Sequence, residues 1–584
     1  MSKVTKKMIN SLESCVDENL RGVLATYPAL HLHPKHRVVT VKSDRPCPLV
    51  GVVGGGGSGH EPFAAALVGR RLLHAAVAGD VFAAPPPDDV LYAIAHASKY
   101  NTGGVLVIIG NYTGDRLNLG KAIEKAKMLG MNVEGLIVGE DVASSHNKTG
   151  GRSMVGEVFF YKLCGGMSSK GMDLGSIVVC ARAANSRMAT LGVCLSPCSL
   201  PGQPPLFSIE QDEMELGAGV HGEAGIARVK LMSARETVNM MMDKIVSHLN
   251  LVSGDRVAVI VDNLGATSVL EMNILCHETN EYLKSKQIKL ERLYSGHIKT
   301  SLEMHGFQIC VLHLNQEYGE LWLECLDLPT DAPAWFATAA NIGVPACWDD
   351  DHLLDTRQEQ CEDTHAADSL SGPRLSPEEQ QLFRDSVLAA ARAVIDNEEL
   401  LNRLDSGCGD GDCGNTLRKF AEGVCGLVPP APLSPARAVW LLSELAERGM
   451  GGTSGGLYSL GLSAAATALD KAKCNDRAAW LSALEAAIQS ISKYGGAEPG
   501  DRTMLDTLHA AAVSLRQHLD SDLSTLLRSV EEAVDRGAGS TASMTARAGR
   551  ASYVSASYLG GEDAGARAAA LWITHVLRTV RDRC

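Results

Sequence analysis

The sequence predicts a multidomain protein, an α/β domain followed by an all-α domain, and three observations carry that prediction. The 584 residues exceed what a single hydrophobic core organises. Up to about residue 345, short β-branched runs alternate with helical patterns, as α/β domains require. From Ser376 to the end the periodic stretches have helical spacing. The expected boundaries are 9–345 for the α/β domain, 346–375 for a linker and 376–584 for the helical domain.

Taken in order, the strand-like runs of the first part are Arg37–Val41, Leu49–Val53, Val105–Ile109 and Val257–Val261. Val53 leads into a glycine-rich loop over 54–62, and Ile109 into a polar loop over 110–115. Ligands of open α/β sheets gather where such strands finish. Between Thr356 and Pro373 acidic residues, Gln, Ser and Gly crowd together without periodicity, the grammar of an exposed linker. Ser376, Pro377 and Glu379 then supply a cap, a first-turn proline and a capping-box glutamate. Leu382, Phe383, Val387, Ala390, Ala391, Val394 and Ile395 follow at helical spacing and define one buried face. Further helix starts stand at Ser434, Asn475 and Thr503, with an Ala-rich helix after Gly565. The expected product is an antiparallel helical bundle or barrel with its site in the loops at one end.

Composition narrows the function. A net charge of −14 argues against a nucleic-acid or anionic-membrane binder, so a negatively charged ligand must be met locally. The 16 cysteines are too dilute for a disulfide framework, and the Cys194/Cys198 spacing lacks a second pair or a nearby histidine to complete a zinc site. His31, His33 and His36 are read as part of an exposed turn leading into a strand. The first twenty residues lack an apolar segment and contain Glu13, Asp17 and Glu18, and no stretch reaches membrane-span length, so a cytosolic protein is expected.

Chemistry concentrates at Asp405, Asp410 and Asp412, three carboxylates separated by almost bare backbone. Hard divalent cations select carboxylate oxygens, and Gly407, Gly409, Gly411 and Gly414 let the main chain approach phosphate closely. An acidic turn is the other reading of such a triplet. The loops 451–456 and 499–504 each open a helix, where free N–H groups favour phosphate, and 563–565 offers a third small-residue loop.

Six motifs together resemble the two-domain ATP-dependent dihydroxyacetone kinases, the family that includes the animal triokinases with FAD-AMP lyase (FMN cyclase) activity. They are Gly55 to Pro62, Asn111 to Asn118, Glu215 to Gly225, the Asp405 region, Gly500 to Asp506 and Gly549 to Tyr553. The resemblance implies a DhaK-like triose-binding domain and a DhaL-like nucleotide-binding domain. It implies that His221 forms a covalent hemiaminal with the substrate carbonyl, that Asp115 is the base for the attacking hydroxyl, and that His60 hydrogen-bonds or polarises the substrate. Gly56, Gly57, Ser58 and Gly59 would surround a triose with backbone donors. Cys413, Gly414, Asn415, Thr416, Thr453, Ser454, Gly495, Thr503, Met504, Asp563, Ala564 and Gly565 would hold the nucleotide, and Asp405, Asp410 and Asp412 two divalent ions. Implied substrates and cofactors are trioses, ATP and FAD, with Mg²⁺ for the kinase and Mn²⁺ or Co²⁺ for FAD cleavage, in a homodimer with no nucleic-acid or membrane partner.

The pattern departs from the family at three positions. Gly110 stands where a lysine is usual, Ala84 where a serine is, and Ala64 where a histidine is. Loss of a cationic donor at 110 predicts triose binding weaker by about 1.5–3 kcal/mol. Two alternatives to a bifunctional enzyme follow: a carbonyl-metabolite sensor with decayed kinase activity, and an FAD-AMP lyase alone.

Overall fold

The computed structural model describes residues 5–42, 45–144, 150–314, 317–335, 370, 372–406, 411–427, 434–450, 452–548, 550–553 and 560–583. The chain divides into two compact units, Met1–Thr356 and Arg357–Cys584. The expected linker falls almost wholly outside the described residues.

The first unit holds two six-stranded sheets. One contains β1 (Leu30–His33), β2 (Val38–Val41), β3 (Gly51–Ser58), β4 (Ala75–Val81), β5 (Val105–Gly110) and β6 (Val133–Val138) in the order β1-β2-β4-β3-β5-β6. Its β4, β3, β5 and β6 run parallel, and β1 and β2 form an antiparallel edge. Helices α1 (Cys15–Thr26), α2 (Pro87–Tyr100) and α3 (Thr113–Met128) belong to this half. The run expected to leave the sheet at Val53 continues as strand through the glycines to Ser58. The reason is that β3 is central and pairs with β4 and β5 on its two sides.

Helices α4 (Gly156–Ser169) and α5 (Leu174–Asn185) lead to the second sheet. It comprises β7 (Met188–Ser196), β8 (Glu213–Leu216), β9 (Ala227–Lys230), β10 (Arg256–Asn263), β11 (Lys289–Gly296) and β12 (His305–His313) in the order β11-β10-β12-β7-β8-β9, with α6 (Ala234–Leu249), α7 (Val269–Ser285) and α8 (Gly319–Asp327). All its pairs are antiparallel except β10 with β11. Helix α4 is buried along nearly its whole length and packs against β3 and β5 of one sheet and β7 of the other. Its Phe159 and Phe160 are fully buried in the core that joins the sheets, each contributing about 1.5–3 kcal/mol.

The second unit is helical throughout its described residues: α9 (Pro377–Asp396), α10 (Glu398–Asp405), α11 (Cys413–Gly426), α12 (Pro435–Gly449), α13 (Gly452–Asp470), α14 (Arg477–Gly495), α15 (Met504–Gln517), α16 (Leu523–Ser540) and α17 (Ala564–Arg583). From α10 on successive helices pack together, α9 packs on α11, and α17 returns to α9, which closes the ring. The expected capping box at Ser376 forms, with Ser376 accepting from Glu379 N–H and Glu379 from Ser376 N–H. A largely apolar cavity of about 1090 Å³ lies inside the ring, bordered by Phe383, Leu442, Leu508 and Trp572. No helix among the described residues is long and apolar enough to cross a membrane.

Candidate functional site

In the α/β unit the chemistry gathers where β3 ends. The bare backbone of β3 is required by close approach: a Cβ on Gly55 would lie 2.1 Å from the Val77 carbonyl oxygen, and one on Gly57 2.8 Å from Ala83 N. Gly56, Gly57 and Ser58 belong to β3, and Gly59 and His60 follow it directly. The Ser58 hydroxyl donates to the Gly79 carbonyl at 2.8 Å, so its side chain serves the fold.

His60 is 2% exposed, and its Nδ1–H donates to the Thr300 carbonyl at 2.8 Å, which leaves the lone pair on Nε2. Its ring stacks on Phe82 and meets the edge of His221 at a centroid distance of 4.9 Å. His221, in the turn between β8 and β9, also contacts the Tyr112 ring at 4.5 Å. Burial holds His60 well below the ordinary histidine range. Burial also brings His221 down to about 4, opposed by the nearby Glu223 carboxylate. Both rings are therefore neutral at physiological pH, with lone pairs available.

The His221 backbone is fixed by Glu223, which accepts its N–H at 2.9 Å and is itself held by Arg152 Nη1 at 3.0 Å. Arg152 also reaches Asp141 and the Gly217 carbonyl. Asp115 occupies the first turn of α3, and its Oδ1 is buried with no hydrogen-bond partner, 3.5 Å from where a Cβ on Gly56 would stand. Burial, aided by the Glu157 carboxylate and opposed by Lys299, pushes its carboxyl up to about 7. These features describe a largely buried pocket with a nucleophilic imidazole and a carboxylate whose affinity for protons suits a general base.

Sequence reasoning missed Arg152, Glu157, Tyr161 and Lys299. Glu157 and Tyr161 did leave a signal, as polar groups four residues apart inside an otherwise apolar helical run. Cys194 and Cys198 are buried and unbridged, as expected. His31 and His33 differ from expectation by lying in β1 itself, where His33 bonds Thr40 and Tyr92.

In the helical unit four helix N-termini converge. Cys413 of α11 and Tyr458 of α13 pack on the same hydrophobic cluster. Leu457, one turn beyond Thr453 and Ser454, packs on the cluster that holds Leu505 of α15, as does Met504, and lies 3.3 Å from a Cβ placed on Gly495. A Cβ on Gly565 of α17 would be 3.6 Å from the Met504 Cβ. Asp405, at the end of α10, accepts from Gly411 N–H at 2.9 Å and Asp412 N–H at 3.2 Å. Asn402 accepts from Gly414 and Asn415 N–H, which fixes the start of α11 carrying Thr416. Thr503 caps α15 in a box with Asp506, and Asp563 caps α17 through Ala566 N–H at 2.8 Å, next to Ala564.

Burial raises the Asp563 carboxyl; Arg502 opposes this, while Asp506 and Asp405 add to it. Arg502 is 2% exposed, and its Nη1 has no hydrogen-bond partner. Clustered carboxylates beside N-terminal helix dipoles form a donor set that fits hard cations and phosphate together. Asp412 begins α11 without capping it through its side chain. Asp410 lies outside the described residues, and among the described residues no three candidate ligands form a complete metal cage.

This architecture has close counterparts. A Dak1 domain model matches residues 21–334 and a DAK2 domain model residues 407–578. The chain is 37% identical to Triokinase/FMN cyclase of Rattus norvegicus, covering 99% of both, and 37% identical to Triokinase/FMN cyclase of Homo sapiens, covering 99% of this chain and 100% of that one. The crystal structure of the dihydroxyacetone kinase from C. freundii in complex with AMP-PNP and Mg²⁺ superposes with a TM-score of 0.65 at 31% identity, covering 98% of this chain and 100% of that one. With both domain models matched and whole-length relatives above 30% identity, the chain belongs to the dihydroxyacetone kinase family.

Proposed function

We propose that this chain phosphorylates dihydroxyacetone or D-glyceraldehyde with ATP, and that its helical site also cleaves FAD to AMP and cyclic FMN. The carrying observation is the neutral, half-buried His221 set edge-on to His60 in the pocket that contains the unpartnered Asp115 oxygen. The names of the mammalian relatives support both reactions, and the complex with AMP-PNP and Mg²⁺ supports the nucleotide and the metal. The triose-binding domain is assigned to 9–345 and the nucleotide-binding domain to 376–584.

In the kinase reaction an imidazole nitrogen of His221 adds to the substrate carbonyl carbon. The ring proton is lost, and the former carbonyl oxygen gains one to become the hemiaminal hydroxyl. This bond selects ketoses and aldoses over glycerol, which cannot form it. The N–H groups of Gly56, Gly57, Ser58 and Gly59 orient the remaining hydroxyls, His60 hydrogen-bonds the substrate through Nε2, and Asp115 removes the proton from the attacking hydroxyl.

Asp405, Asp410 and Asp412 would hold divalent ions, Mg²⁺ for the kinase and Mn²⁺ or Co²⁺ for FAD cleavage. Such ions neutralise phosphate charge during transfer. The N-terminal turns at Cys413 to Thr416, Thr453 to Ser454, Thr503 to Met504 and Asp563 to Gly565, with Gly495, cradle the nucleotide. In FAD cleavage a ribitol hydroxyl attacks the flavin-side phosphorus and AMP leaves, a step that does not use His221. The assignment extends to a cytosolic homodimer.

The test is ADP release with and without dihydroxyacetone, run beside FAD cleavage. Triose-dependent ADP release together with cyclic FMN is expected. Cyclic FMN alone would identify an FAD-AMP lyase only, and neither product with retained triose binding would identify a sensor.

A further inference from the structure

A buried ammonium belongs to the triose pocket although no motif announced it. Lys299 is 3% exposed, and its Nζ donates to Glu157 Oε2 at 2.7 Å and to the Ser153 carbonyl at 3.3 Å. It lies 4.5 Å from the centroid of Phe63, the ring that also comes within 3.9 Å of a Cβ placed on Gly56. Glu157 is equally enclosed, accepting from Ser153 Oγ and Tyr161 OH at 2.8 Å each, while Tyr161 OH accepts from Gly55 N–H at 3.1 Å. The pair is thus wired to the glycine strand that borders the pocket.

The backbone that delivers Lys299 is stitched to the segment bearing His60. Thr300 N–H donates to the His60 carbonyl at 3.1 Å, and Leu302 N–H to the Gly59 carbonyl at 2.9 Å. Asp262 Oδ1 accepts from Ile298 and Lys299 N–H, which fixes the connection between β11 and β12 from the other side. Gly110 completes the arrangement, since a Cβ there would stand 3.2 Å from Glu157 Oε2 and 3.3 Å from Ser153 Cβ. A side chain at 110 and this carboxylate compete for one space.

We propose that Lys299 is a positioning residue for the triose pocket, a cation anchored by Glu157 in space left open by Gly110, which holds Asp115 as the carboxylate that accepts the substrate proton. The charged groups acting on Asp115 are Glu157 from α4 and Lys299 from the β11–β12 connection, with opposite effects. His60 and His221 also feel Lys299. The inference rests on the kinase reading of the same pocket.

The test compares pH profiles of kcat/KM for dihydroxyacetone in wild type, Lys299→Met, Lys299→Arg and Glu157→Gln. Removal of the cation moves the acid limb to higher pH, and removal of the neighbouring anion moves it to lower pH. Each unit of displacement changes the rate on that limb by about tenfold. Lys299→Arg restores most of the wild-type profile, and FAD cleavage stays unchanged in all variants. A purely structural pair would not shift the limb in opposite directions.

Because Lys299→Met leaves Glu157 unpaired, the double variant Glu157→Gln/Lys299→Met removes both charges; it is expected to unfold at the wild-type temperature, with its acid limb between those of the two single variants because their opposite effects on Asp115 offset. Limbs that coincide among the single variants, or a double variant whose limb falls outside the interval between theirs, overturn the proposal while leaving the kinase reading intact. Absence of triose-dependent ADP release from the wild type overturns the kinase reading and the proposal with it.

Discussion

The two candidate sites use opposite strategies to handle charge. The triose pocket buries its chemistry: His60, Asp115, Glu157 and Lys299 are all nearly inaccessible, so each charge acts strongly on its neighbours. The nucleotide site instead stands on backbone ends, with four helix N-termini and carboxylates such as Asp412 left at the surface. A buried pocket suits a small neutral substrate that must be fixed before reaction. An open ring of helix ends suits a large polyanion that arrives with its own counterions. The difference teaches that the first site should be sensitive to single side chains through their protonation, and the second through loss of charge neutralisation.

The largest effect expected is at the second site. Asp412→Ala should lower both triose phosphorylation and FAD cleavage on the order of 10³-fold or more, the scale of charge stabilisation in phosphoryl transfer. Near-normal turnover of either reaction at saturating metal would break the idea that they share one site. Next in size is a split between the reactions. Asp115→Asn and His221→Ala should each lower kinase turnover by about 10²–10⁴-fold while leaving FAD cleavage unchanged. Crystals grown with dihydroxyacetone should show continuous density from the His221 ring to a substrate carbon. A triose lying unbonded at full occupancy would count against the covalent step.

Legibility followed the same division. The nucleotide site is local in sequence, because helix caps, glycines and acidic triplets announce themselves within a few positions. The loops at Thr503 and Asp563 stand out in the sequence for that reason, whereas the closure of the ring from α9 to α17 is set by the fold. The triose pocket is non-local. Its glycine strand looked like a loop, since nothing in the run 54–58 reveals that Val77 and Tyr161 press against it from distant segments. The absent lysine at 110 predicts the loss of one cationic donor, and nothing nearby in the sequence points to Lys299, which stands beside Glu157, delivered from another sheet. Arg152 was equally hidden, because its role depends on Glu223 and Gly217 arriving from beyond β8.

A smaller effect, readable without mutation, separates the sites by pH. With Asp115 raised to about 7, the base is protonated below that value, and kinase kcat/KM should fall about tenfold per pH unit on the acid side. His221, lowered to about 4, stays neutral throughout this range and adds no limb. FAD cleavage, which uses neither group, should lack the limb near 7. Coincident profiles for the two reactions would mean that the limb reports nucleotide or metal binding and not Asp115.

The smallest effect compares one physical device in two places. Ser376 and Thr503 both close capping boxes, the first at the start of α9 and the second at the start of α15 among the converging helix ends. Replacing either by alanine removes an acceptor for an otherwise orphaned N–H, at a cost of about 0.5–2 kcal/mol. In a helical unit of this size that is a fall of roughly 2–4 °C in Tm per kcal/mol. The stability losses should therefore match, and the catalytic consequences should not. Ser376→Ala leaves both reactions at wild-type KM, whereas Thr503→Ala raises KM for ATP by about two- to tenfold, the outcome expected when the helix end that Thr503 fixes belongs to the proposed nucleotide cradle. Measuring Tm and KM for ATP in the two variants decides the point. Equal KM changes would show that the site responds to helix stability in general, and an unchanged KM in Thr503→Ala would remove that helix end from the nucleotide cradle.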